Sequence, residues 1–166
     1  MRNLIRRWLT PAPTVSGTHQ LIDSTTLNDD VLGRCTRRSV DDATFEVSIT
    51  LDSGDPVPVA FFADEPLDDT LEYVRAIVSA LPVNDARYRR YAAADVRQFQ
   101  IGLGNENAST PVTEFASRMR LSHIEVYFPT PEEGATLWYT CEDLIPNLLV
   151  CVTLDQNRRF VGGGIG

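Results

Sequence analysis

Strands, then helices, then strands again: this order predicts an α+β fold, a mainly antiparallel sheet with about three helices packed on one face. Three observations carry the expectation. "ATFEVSITL" alternates, with Phe45, Val47, Ile49 and Leu51 on one side and Glu46, Ser48 and Thr50 on the other. From Leu67 the apolar residues recur at helical steps, through Leu71, Val74, Ile77, Val78 and Leu81. From "LSHIEVYF" onward the two-residue period returns. The expected element order is β-β-(β)-α-α-α-β-β-β-β.

The elements follow in turn. A short strand around Val31 to Thr36 precedes "ATFEVSITL", "DSGD" turns the chain, and "PVPVAFF" returns with Val57, Val59 and Phe61 inward. Pro56 and Pro58 cannot donate ladder hydrogen bonds, so this strand is expected to begin at a sheet edge. Pro82 is expected to stop the first helix, and Asn84 to cap a second with Tyr88, Tyr91, Ala92, Val96 and Phe99 on its apolar side. Gly102 and Gly104 end it. "STPVTEFASRMR" reads as a third helix, with Thr110 as cap, Pro111 in the first helical position, and Phe115 and Met119 facing inward. Ile124, Val126 and Phe128 then alternate with His123, Glu125 and Tyr127. "ATLWYTC", "LLVCVTLD" and "RFVGG" complete the sheet, the last two joined by "DQNR".

With 166 residues, the chain is expected to form a single domain over 19–166, behind a leader over 1–18 in which Pro11 and Pro13 end a short basic segment. No apolar run is long enough for a signal peptide or a transmembrane span. The net charge of −8 makes nucleic acid a poor partner and a basic protein a good one. Cys35, Cys141 and Cys151 are an odd number without metal-site spacing, which fits a reducing cytoplasm and thiols used as small hydrophobes.

The most pointed segment is "FFADEPLDDTLE", with five carboxylates and no base. Asp64 or Glu65 at a helix cap and Asp68, Asp69 and Glu72 in the first turns suit the positive end of the helix dipole, by about 0.3–1 kcal/mol each. A calcium loop would need a glycine and a ligand spacing that "DEPLDD" lacks. The third reading is recognition. Residues 41–72 hold ten acids and no base, against 13 acids and 15 bases elsewhere, so negative charge is segregated. Asp64, Glu65, Asp68, Asp69 and Glu72 are therefore candidate partner-binding residues, with Phe62 or Trp138 as the desolvated anchor that exposed ion pairs need. His123, Glu125 and Tyr127 share a strand face and have the makings of a proton relay. Two-residue spacing, however, puts any three polar residues on one solvent face. No phosphate loop, nucleophile elbow, histidine metal motif or cofactor signature is readable, so catalytic residues, metal and cofactors are expected to be absent.

The segments "DDVLGRCTRR", "FEVSIT", "LEYVRAIVSALPVNDARYRRYAA", "FASRMRLSHIEVYF" and "LLVCVTLD", with a glycine-rich tail, occur in that order. Over residues 29–166 this resembles a group of small bacterial domains of unknown function, many of which look like immunity proteins against polymorphic toxins and delivered effectors. The resemblance implies a cytoplasmic, non-enzymatic inhibitor that binds and blocks a cognate effector toxin. It supplies no functional residues to carry over, and the Arg-only base set and the "TCEDLIPN" loop depart from it. Two alternatives stand beside it: a structural subunit that forms a homodimer, and a small enzyme whose site is assembled from distant loops.

Overall fold

The computed structural model describes residues 15–23, 25–38, 43–51, 54–62, 67–102 and 109–166. Nine strands form one sheet: β1 (His19–Asp23), β2 (Thr26–Asp29), β3 (Gly33–Arg37), β4 (Thr44–Thr50), β5 (Pro56–Phe62), β6 (Arg120–Val126), β7 (Ala135–Thr140), β8 (Leu149–Leu154) and β9 (Phe160–Ile165). They lie side by side in sequence order. Every neighbouring pair is antiparallel except β5 and β6, which run parallel. Between those two strands come the helices, α1 (Leu67–Gly102) and α2 (Val112–Arg118). Most of the expected leader, residues 1–14, lies outside the described residues.

Two helices replace the expected three, and five strands precede them. Pro82 sits inside α1, and Asn84 caps nothing. An interior proline costs about 3 kcal/mol, yet Leu71, Val74, Ile77 and Leu81 before it and Tyr88, Ala92 and Val96 after it are all buried. Ending the helix at Pro82 would pull one of those stretches off the sheet, a larger loss at about 1.5–3 kcal/mol per apolar side chain. Pro82 itself is exposed, on the hydrated side. Phe99 also departs from expectation, being 58% exposed. The described part of α1 runs to Gly102, and Gly104 lies outside the described residues. In α2, Pro111 is the cap residue, not the first helical one. Phe115 and Met119 are buried as their spacing predicts.

The strand faces match the alternation. Phe45, Val47 and Ile49 of β4, Val57, Val59 and Phe61 of β5, and Ile124 and Val126 of β6 turn inward, and Phe45 stacks on Phe61. On β5, β6 pairs only with residues 59–61, so Pro56 and Pro58 have no partner on that side. Their missing N–H groups cost the ladder nothing there.

A flat nine-stranded sheet would span roughly 38 Å, and 36 helical residues extend roughly 54 Å. Arg75 pairs with Asp29 at the end of β2, and Asp95 accepts a hydrogen bond from the Gly163 amide on β9 at 3.0 Å. The helix therefore crosses the sheet from the β2 side to the β9 side. Among the described residues no helix is both long and apolar enough to cross a membrane.

The Asp29–Arg75 pair is almost solvent-free, the two side chains being 0% and 4% exposed. Asp29 also accepts from the amides of Val31 and Leu32. Burial pushes its carboxyl up, but the Arg75 hydrogen bonds, those two amides and the Arg75 charge outweigh it and hold the group below its ordinary value of 3.8. Gly17 leans on the same guanidinium, where an added Cβ would come within 2.8 Å of Nε.

Asp29→Asn should therefore destabilise the fold by about 3–5 kcal/mol, because it strands a buried charge. Denaturant melts of both proteins measure this. Since the folded carboxyl is depressed, its contribution is complete above the ordinary Asp range and lost as pH falls through the folded value, so the gap between wild type and variant should close below about pH 4. Gly163 faces a different constraint: an added Cβ would lie 2.6 Å from Cα of Ala92. Gly163→Ala should cost about 1–3 kcal/mol in the same assay by forcing β9 off α1.

Candidate functional site

With one face of the sheet occupied by α1, the other face carries side chains that are mostly half-buried or exposed, Thr136 being a buried exception. β6 supplies its centre, since Ile124 and Val126 point to the core and His123, Glu125 and Tyr127 point away. The register places Ala60 of β5 and Thr136 of β7 on either side of Glu125, and Trp138 opposite His123.

These residues form one connected group. The Tyr127 hydroxyl and the Trp138 indole N–H both donate to Oε2 of Glu125, at 2.6 and 2.8 Å. His123 stacks on Trp138 with ring centroids 5.8 Å apart, and Phe62 packs against Tyr127 at 6.3 Å. Partial burial pushes the Glu125 carboxyl up, but the Tyr127 and Trp138 hydrogen bonds, with His123 and Arg38 nearby, hold it below its ordinary value. Burial and the bond to Glu125 push the Tyr127 hydroxyl well up, so it remains a donor. The result is an ionised carboxylate fixed by two aromatic donors and flanked by rings.

The candidate residues from the sequence divide between two places. Phe62 and Trp138 meet around Glu125. Asp68 and Asp69 occupy the first turn of α1, as their charge predicts, and Asp68 pairs with His19 at 3.4 Å. Asp69 and Glu72 line a shallow open cleft of about 200 Å³ with Tyr73, Phe128, Gln156 and Arg158. Asp64 and Glu65 lie outside the described residues. The anchors foreseen for the acidic block thus surround a different carboxylate. Tyr127 and Phe128 mark the divide, Tyr127 bonding to Glu125 while Phe128 stacks on Tyr73 of α1 at 4.8 Å.

Sequence reasoning found His123, Glu125 and Tyr127 on one face but missed that Trp138 completes the group. The signal was present: "SHIEVY" and "TLWYT" are consecutive strands, and a hairpin sets their outward residues side by side. A second cleft, of about 240 Å³, is lined by Val96, Phe99, Gly163, Gly164 and Ile165, with no titratable group among the described residues that line it. Among the described residues no three His, Cys, Asp or Glu side chains converge as a metal site would need. The thiols are poor nucleophiles, with burial pushing Cys35 up to about 12 and raising Cys141 and Cys151 as well.

No family model, curated protein or solved structure matches this chain.

The bond between Trp138 and Glu125 offers a direct assay. Because the Glu125 carboxyl is depressed, the ionised acceptor persists until pH falls below its ordinary 4.5. The Trp138 indole proton resonance should stay constant through neutral pH and move upfield only below that value. In Glu125→Gln that titration should vanish.

Proposed function

We propose that this chain is a binding protein that neutralises a basic effector toxin by covering part of its surface, with the open sheet face around Glu125 and the acidic start of α1 as its contact regions. The observation that carries the reading is the aromatic-framed carboxylate on the uncovered face. Phe61 is fully buried, whereas its neighbour Phe62 is 43% exposed beside Tyr127. Aromatic residues next to a fixed charge are the composition of an interface anchor. The clefts described above, about 200 and 240 Å³, fall below the roughly 300–1,000 Å³ of small-molecule sites, which favours a macromolecular partner. The net charge of −8 favours a basic one, whose capture it would accelerate more than it would tighten. The order of segments that resembles bacterial immunity domains supplies the biological setting, a cytoplasmic antidote acting by occlusion.

The test is co-purification with the product of the adjacent gene, with protection of cells that express it. Changing Asp64, Asp68 and Asp69 to Asn and Glu72 to Gln should slow association and flatten its salt dependence. A neighbouring product that neither binds nor harms cells would remove the reading, and an unchanged association rate would remove the acidic helix start from it.

A second reading is supported by β1, the first strand of an open sheet, which carries Leu21 and Ile22 at 57% and 53% exposure. An apolar edge strand is a template for pairing with another copy. Light scattering at rising concentration separates the two, since self-association through β1 should survive the four acid substitutions and fall with Leu21→Lys.

A further inference from the structure

We propose that Glu125 and its surrounding rings form a receptor for a single arginine side chain presented by a protein partner. The inference rests on the binding reading above and names the chemistry of its anchor. Oε2 of Glu125 already accepts two hydrogen bonds, from Tyr127 and Trp138, and among the described residues no donor reaches Oε1. One oxygen therefore fixes the carboxylate while the other is left for an incoming cation. Along β6, His123 and Tyr127 stand two residues to either side of Glu125, roughly 7 Å away each. Trp138 extends the His123 side and Phe62 the Tyr127 side. A cation over Glu125 thus has aromatic side chains near it in both directions along the strand. Across the strands the neighbour on β5 is Ala60, whose own side chain is too short to cover the carboxylate.

The chemistry selects guanidinium over ammonium. A guanidinium is planar, stacks on aromatic rings, sheds water readily and presents several N–H donors in one plane, whereas an ammonium is a strongly hydrated point charge. The chain already holds one guanidinium on this face. Arg38 Nε pairs with Oε1 of Glu46, and Glu46 is aligned with Glu125 through Ala60. Arg38 thus bonds the neighbouring carboxylate, while its charge also helps to hold Glu125 ionised. The site is open, so a free small molecule would lose little water there. A residue carried on a protein surface brings further contacts with it, which is why the occupant is a protein side chain.

The assay follows the indole resonance of Trp138 in a Trp8→Phe background, titrated with hexa-arginine, hexa-lysine and hexa-citrulline peptides. Hexa-arginine should shift it saturably, hexa-lysine should bind several-fold more weakly, and the uncharged isostere hexa-citrulline should leave it in place. Glu125→Gln should weaken hexa-arginine about tenfold, while Asp55→Asn, which removes an equal charge from an exposed turn, should change affinity less than twofold. Equal weakening by both variants would reduce the effect to net charge and overturn the proposal, as would a citrulline response matching that of arginine. The citrulline comparison uses no Glu125 variant and so holds even if that variant does not fold. Failure here with successful co-purification removes only the arginine receptor. A saturable Glu125-dependent shift without a toxin partner removes only the antidote reading.

Discussion

Because β5 and β6 run parallel, the chain that leaves Phe62 must travel back along the sheet before Arg120 can begin the next strand. α1 and α2 are that return path. The other seven strand pairings are antiparallel and need only turns, so all helical mass falls in one connection and on one face. The burial of Phe45, Phe61, Leu137 and Val152 on the helix side, and an outer face that α1 and α2 leave uncovered, follow from this single step.

The connection is held by polar contacts at its ends and middle. Arg75 reaches Asp29 near the start, and Asp95 reaches the Gly163 amide near the end. Between them the Tyr139 hydroxyl donates to Asp85, Asp85 pairs with Arg89, and Arg89 donates to the carbonyls of Ala116 and Met119 at the end of α2. One chain of contacts thus runs from β7 through α1 to α2. The two best-fixed carboxylates have opposite environments. Asp29 is enclosed with its cation and holds the fold together, while Glu125 is hydrogen-bonded by neutral donors of its own face, with Arg38 and His123 nearby. A charge anchored without a bonded cation is suited to meet one from outside.

Much of this architecture was legible in the sequence. β4 to β9 appeared, most of them because they alternate and bury one side. β1 and β2 did not, since "HQLID" exposes both of its apolar residues and "TLND" is too short to show a period. Pro82 was misread because a local penalty is visible in sequence while the burial on both sides that outweighs it is not. Asp29 and Arg75 are 46 positions apart, and no local pattern links them. For the site, charge density drew attention to Asp68, Asp69 and Glu72. The structure shows a different carboxylate fixed in place, Glu125, a lone acid in its strand that Tyr127 and Trp138 bond. Sequence density measures how many charges are near, and not which one is fixed.

The central claim is that the sheet has one covered face and one open face, with Glu125 and its rings on the open one. Hydroxyl-radical footprinting of the free protein, read residue by residue, tests this most directly. The account predicts fast oxidation of Phe62, with Trp138 and Tyr127 well above background, and slow oxidation of Phe61, Tyr73 and Tyr139. Protection of Trp138 and Tyr127 equal to that of Tyr139 would mean that the outer face is covered in the free chain, and would contradict it.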